Sequence, residues 1–199
     1  MNRHTGSCRA ALAALCVLLT CSVDVGATTF EIASLENLAA ASSHVLRGRF
    51  VAFESAWTRD KSAIYTVGRF RVDEAIAGQA AGTEITVILP GGRVGDASQI
   101  VIGAPAFDIG KEVVLMLDAA AAAGAAGASG GNTTFAIVGL AQGAFDIKRD
   151  AASGKTLAVS QIHELVPPAV AEEALGAAPG VEGIPLEEFI LYGDRKSVV

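Results

Sequence analysis

Apolar side chains along this chain keep more than one rhythm, and each rhythm marks an element. Between Ser34 and Ser42, Leu35 and Leu38 recur at helical spacing behind a serine able to cap the first turn, which predicts a short helix. From His44 the rhythm becomes that of strands. His44–Phe53 is rich in Val, Leu and Phe, with Gly48 in mid-run, where a glycine marks a bulge or a sharp bend in a curled strand. Ile64–Ala75 alternates, with Ile64, Thr66, Gly68, Phe70 and Val72 on one face and Tyr65, Val67, Arg69, Arg71 and Asp73 on the other. The Trp57–Ser62 segment between these runs is polar and short enough to close a hairpin.

Glu84–Leu89 places Ile85, Val87 and Leu89 in strict alternation after a turn at Gly78–Gly82, and Pro90-Gly91-Gly92 ends that strand. Gln99–Ile102 reads as a short strand, and Gly103–Gly110, with Pro105 and Phe107, as a loop. Glu112–Leu117 is a continuous apolar run of the kind found in a strand buried on both faces. Further strands are expected at Phe135–Val138, Ala144–Arg149 and Thr156–Ser160, the last two joined by a turn over Asp150–Lys155. Ala119–Gly131 has neither periodicity nor charge and reads as a flexible loop at a hairpin tip, while Ala169–Gly183 reads as a linker. Leu186, Phe189 and Ile190 then return to helical spacing within Pro185–Tyr192. Short strands at near-regular intervals with little helix predict a mainly β domain, a small closed or partly open β-barrel with a short helix at each end; a β-sandwich is the alternative.

The first residues change the picture of where this domain works. Arg3 and Arg9 precede an apolar run over 10–23, followed by Val25-Gly26-Ala27, a small-residue cleavage site, so residues 1–27 read as a secretory signal peptide with the mature chain starting at Thr28. The apolar run is shorter than the ~20 residues of a spanning helix, so no transmembrane span is expected after cleavage. All cysteines, Cys8, Cys16 and Cys21, lie within the signal, so the mature chain has no thiol for a disulfide or metal site and relies on apolar packing. In a second export reading, Leu18-Leu19-Thr20-Cys21 serves as a lipobox and Cys21 carries a lipid anchor. The barrel domain then occupies 28–168, and 169–199 forms the linker and helical tail. The formal charge of -6 becomes about -7 without the signal, a balance that repels nucleic acid and anionic lipid.

Candidate chemistry is sparse. His44 and His163 are the histidines beyond the signal, and neither H-E-x-x-H nor G-x-S-x-G is present, so no catalytic residue, metal or cofactor is assigned. Pro90-Gly91-Gly92-Arg93-Val94-Gly95-Asp96 offers backbone N–H groups beside a guanidinium and could hold an anion, although no helix follows it and a flexible strand connection is the simpler reading. Trp57 is either a recognition anchor or a barrel-end plug. Arg47, Arg49, Arg69 and Arg71 form either a basic stripe or strand faces neutralised by Asp73, Glu74 and Glu54. Asn132-Thr133-Thr134 is a formal glycosylation acceptor, read as chance in so Ala/Gly-rich a chain.

Val45-Leu46-Arg47-Gly48-Arg49-Phe50, Trp57, Ile64-Tyr65-Thr66, Pro90-Gly91-Gly92, Gly103-Ala104-Pro105-Ala106-Phe107 and Val138-Gly139-Leu140-Ala141-Gln142-Gly143-Ala144-Phe145 follow in that order. This series, over roughly Ser34 to Ser160, resembles exported bacterial β-rich proteins that carry no assigned activity. More distantly, its opening resembles the netrin and tissue-inhibitor-of-metalloproteinase modules, which implies an OB-like barrel. Those inhibitors chelate zinc through an N-terminal cysteine; Thr28 stands at that place here, so the inhibitory chemistry does not carry over. The resulting expectation is an exported, periplasmic or extracellular, non-catalytic binding module for an unknown protein or small molecule, with Trp57, Pro90, Gly91, Gly92 and Arg93 as candidate binding residues. A cell-envelope structural protein and a hydrolase without a sequence motif are the alternatives.

Overall fold

The computed structural model describes residues 32–78, 84–120, 134–151, 153–164, 183–187 and 189. The expected signal peptide, its cysteines, the Thr28 start and nearly all of the Ala119–Gly131 loop lie outside these residues, as does Asn132. So do residues 165–182, most of the expected linker. Chain contacts separate Met1–Glu31 from Ile32–Val199, and the described fold belongs to the second unit.

Helix α1 (Leu35–Ala41) begins where the Ser34 hydroxyl accepts the Asn37 N–H at 3.3 Å, and it buries Leu35, Leu38 and Ala39. The strands are β1 (His44–Trp57), β2 (Ile64–Ala77), β3 (Glu84–Pro90), β4 (Gly92–Val94), β5 (Ala97–Gln99), β6 (Glu112–Ala119), β7 (Thr134–Ile137), β8 (Ala144–Arg149), β9 (Thr156–Ser160) and β10 (Ile184–Pro185). Eight of them form one mixed sheet in the order β1-β2-β3-β7-β6-β8-β9-β10, with β3 and β7 parallel. The protein is therefore mainly β, as its alternation predicts. The sheet is partly ringed, because β1 pairs with β2 on one side and with β6 on the other.

That double pairing needs a strand able to bend. β1 achieves it through register shifts at Val45/Leu46, Arg47/Gly48 and Phe50/Ala52, the irregularity that Gly48 signals in the sequence. A Cβ on Gly48 would collide with the Arg71 carbonyl of β2, so the strands approach closely where the bend is sharpest. β6 is buried on both faces, as its unbroken apolar run predicts. Val113, Leu115 and Leu117 join Leu46, Phe50, Phe70, Ile85, Val87 and Phe135 in one cluster, while Val114 and Met116 join Leu35, Leu38, Phe145, Ile162 and Phe189 in another.

Some sequence expectations are corrected. Trp57 belongs to the end of β1, paired with Ile64, and does not stand in the turn. Pro90–Asp96 is no featureless connection: β4 and β5 form a hairpin closed by Gly95 and Asp96, with Gly95 at φ 59°. The expected strand at Gln99–Ile102 shifts to Ala97–Gln99, since β4 ends its ladder opposite Gln99 and leaves Ile100–Ile102 without a partner strand. At the other end, Ile184 pairs with Ala158 of β9, and the Phe189 ring packs edge-on against Phe145 at 4.8 Å.

Candidate functional site

Gly91 and Gly92 turn the chain out of β3 in conformations that favour glycine, with φ of 84° and 141°. The Gly91 N–H donates to the Ile64 carbonyl at 2.9 Å, continuing the β2–β3 ladder for one more step. The Thr66 hydroxyl donates to the Gly91 carbonyl at 2.8 Å and lies 2.8 Å from the Ser55 hydroxyl. Gly92 packs directly over these hydroxyls. A Cβ there would collide with Thr66 Oγ1 and Ser55 Oγ, so the second glycine is required by close approach as well as by its dihedral.

Beside this turn lies an open pocket of about 220 Å³ lined by Phe53, Thr66, Leu89, Pro90, Gly91, Gly92, Pro105 and Phe107. Its aromatic wall continues into the core: the Phe50 ring stands 4.8 Å from Phe53, 4.6 Å from Phe107 and 5.0 Å from Phe70. Such rings present apolar area with little rotamer freedom to lose, while Thr66 and the glycine backbone supply polar edges.

Phe107 is carried by a strap, residues 103–110. Its ends are tied by Ala141 N–H to Gly103 O at 3.0 Å and by Gly110 N–H to Phe50 O at 2.9 Å. Its middle is held by Gln161, whose Oε1 accepts the Ala106 N–H at 3.0 Å and whose Nε2 donates to the Ala106 carbonyl at 2.9 Å. The same Nε2 donates to Asp146 Oδ1 at 3.2 Å, and Lys111 Nζ donates to Asp146 Oδ2 at 3.1 Å. Asp146 is buried, so these partners offset the cost of placing its carboxylate at the sheet. Around them is a second cleft of about 260 Å³ on the other side of Phe107, bounded by Ala104, Asp108 and Ala141. Its polar groups are mutually engaged, and the visible consequence is a fixed strap.

The candidate residues read from sequence are only partly assembled. Pro90, Gly91 and Gly92 line the pocket; Trp57 and Arg93 do not. Trp57 is 37% exposed at the end of β1, and Arg93 projects to solvent from β4. Phe53, Thr66, Leu89, Pro105 and Phe107 complete the wall, and sequence reading missed them as a group. Phe107 and Pro105 between two glycines were the available signal.

The arginines of β1 and β2 are neutralised by strand neighbours. Arg47 Nε lies 2.8 Å from Glu74, an ion contact too bent for a hydrogen bond, and its Nη1 donates to Glu112 at 3.0 Å. Arg49 donates to Asp73 at 2.8 Å, and Arg69 lies 3.4 Å from Glu84. Glu84 and Glu112 thus take places that the sequence suggests for Glu54. His44 Nδ1 lies 2.9 Å from the Ser43 hydroxyl, while its ring packs edge-on against Phe135, outside both pockets. His163 belongs to the 3₁₀ turn Gln161–Glu164. Among the described residues no group of three or more His, Cys, Asp or Glu side chains could hold a metal ion, and no helix is long and apolar enough to cross a membrane. No protein-family model, curated protein or solved structure matches the chain.

Proposed function

We propose that this protein is an exported, non-catalytic binding module built on an OB-like barrel, and that it engages its partner beside the Pro90–Gly92 pocket. One observation carries the reading. Among the described residues the exposed large hydrophobic side chains are Trp57, Ile100, Ile102 and Ile109, and all belong to segments bordering that pocket. Trp57 pairs with Ile64, whose N–H donates to Gln99; Ile100 and Ile102 follow Gln99; Ile109 ends the strap that carries Pro105 and Phe107. Isolated exposed apolar residues need no explanation, but their recurrence in the segments that carry one pocket supports an interaction surface there. The pairing of β1 with both β2 and β6 supports the barrel reading. OB folds bind through the face of their second and third strands and the loops beside it; Leu89 and Pro90 end the third strand here and Trp57 ends the first, which supports the same assignment.

A photo-crosslinking side chain at position 57, 100 or 102, compared with position 36 on α1 or 148 on β8, tests the surface in cells. Crosslinks to one partner from the first set alone are expected. Equal labelling from all positions, or none from the first set, overturns the binding site.

A further inference from the structure

The β4–β5 hairpin leaves an edge free beside this surface, and its geometry states what the edge can do. With Gly95 and Asp96 as the whole turn, Val94 and Ala97 close the ladder as a hydrogen-bonded pair, Arg93 and Ser98 form the next, non-bonded pair, and Gly92 and Gln99 bond again. The N–H and C=O of Ser98 therefore point away from β4. Ile100 follows Gln99 with no partner strand, and the chain then turns at Ile102–Gly103, where the Ala104 N–H donates to the Val101 carbonyl at 3.1 Å. β5 pairs with β4 alone, and no hydrogen bond among the described residues occupies those groups of Ser98 or Ile100.

Side chains along this edge alternate. Ala97, Gln99 and Val101 are half-buried, whereas Ser98, Ile100 and Ile102 face outward, the two isoleucines at 89% and 91% exposure. Beside Ser98, Arg93 shares the outward face. No carboxylate among the described residues lies within ion-pair reach of Arg93, unlike Arg47, Arg49, Arg69 and Arg71, so its guanidinium is available to a partner. Native proteins ordinarily cover, charge or shorten an apolar strand edge of this kind, because it is a template for strand pairing.

We propose that the outer edge over Ser98–Ile100 pairs with an extended segment of a different protein chain, apolar at every second residue and bearing a carboxylate that meets Arg93. Main-chain pairing to Ser98 and Ile100 supplies affinity; Ile100 and Arg93 supply register and choice of partner. This rests on the binding-module reading and names the partner class for it. The chain's own charge of -6 disfavours an anionic lipid surface as the occupant.

The probe is a fluorescent synthetic peptide alternating isoleucine and threonine with a terminal aspartate, titrated against the full exported protein. Saturable binding is expected, reduced at least ~10-fold when alternate peptide nitrogens are methylated. Ser98→Pro, which deletes a free edge donor, should weaken binding to a similar degree without moving the melting temperature, while Ser98→Ala binds as the wild type does. Arg93→Glu should lose the aspartate peptide and gain its lysine counterpart. Equal binding of the methylated peptide, or indifference to Ser98→Pro, overturns strand addition. So does self-association in sedimentation that Ser98→Pro abolishes, which assigns the edge to a second copy, or Ile100-dependent binding to phosphatidylglycerol vesicles, which assigns it to lipid. Crosslinking to one partner from positions 57, 100 and 102 together with peptide failure leaves the binding surface standing and removes only the strand-addition inference; failure of both removes both.

Discussion

Asp60 shows how much a single side chain can organise at the tip of the β1–β2 hairpin. Its carboxylate accepts the Thr58 hydroxyl at 2.7 Å, the Ser62 hydroxyl at 2.8 Å and the Ser62 N–H at 3.2 Å, and these bonds, the Thr58 hydroxyl foremost, lower its pKa from the ordinary 3.8 to about 2. A lowered folded-state pKa means that the contribution to stability is fully present above about 3.8 and disappears as pH falls through about 2. An NMR titration of the Asp60 carboxyl should place its midpoint near 2. Thr58→Val should raise the midpoint, since it removes the leading donor, and an unchanged midpoint in that variant would refute the attribution. At this scale the sequence was informative where a residue's own backbone demand decides, as at Gly91 and Gly92. It was silent where meaning depends on distant partners. Phe53 and Phe107 are merely apolar in the sequence, and they become one wall only because both reach Phe50.

Among elements, strands of four residues or more were legible and the shorter ones were not. β1, β2, β3 and β6 carry enough alternating or continuous apolar side chains to declare themselves, whereas Gly-Arg-Val and Ala-Ser-Gln, the whole of β4 and β5, contain no such pattern. Ile100-Val101-Ile102 displays the stronger strand signal and lies beyond the ladder, because propensity records suitability for a sheet and not the presence of a partner. The strap has no periodicity and takes its course from anchors elsewhere, above all Gln161. Gln161→Ala removes its three side-chain hydrogen bonds, which at ~0.5–1.5 kcal/mol each predicts a loss of about 1.5–4.5 kcal/mol, within the range of a consequential substitution. Urea unfolding measures that loss, and hydrogen exchange should show the Ala106 amide deprotected ahead of β6. Unchanged exchange at Ala106 would mean that the strap is held by its ends and by Phe107 alone.

For the whole molecule, local alternation identifies strands without saying which of them pair, so the sequence supports both barrel and sandwich, and the β1–β6 pairing that makes the sheet partly ringed is a long-range event. The same applies to the chain's end. Alanine, glycine and proline suggest a linker after residue 168, but nothing local to Ile184 or Phe189 states that they meet Ala158 and Phe145. Phe189 is 1% exposed within the cluster that also holds Leu35, Val114, Met116 and Ile162, and β10 adds a rung to β9. Replacing so buried an aromatic by alanine costs ~3–5 kcal/mol, because contacts are lost and the cavity closes only in part. Phe189→Ala should therefore lower the urea midpoint strongly while leaving the slope of the transition nearly constant, whereas removal of residues 169–199 should lower the midpoint and also reduce the slope, since less surface remains to expose. A truncated protein that unfolds at the full-length midpoint would show that the sheet from β1 to β9 closes its core without the chain's end. A large loss assigns the last residues to the folding unit itself, and the proposed binding surface, which contains none of them, should keep its crosslinks in any Phe189→Ala protein still folded at the assay temperature.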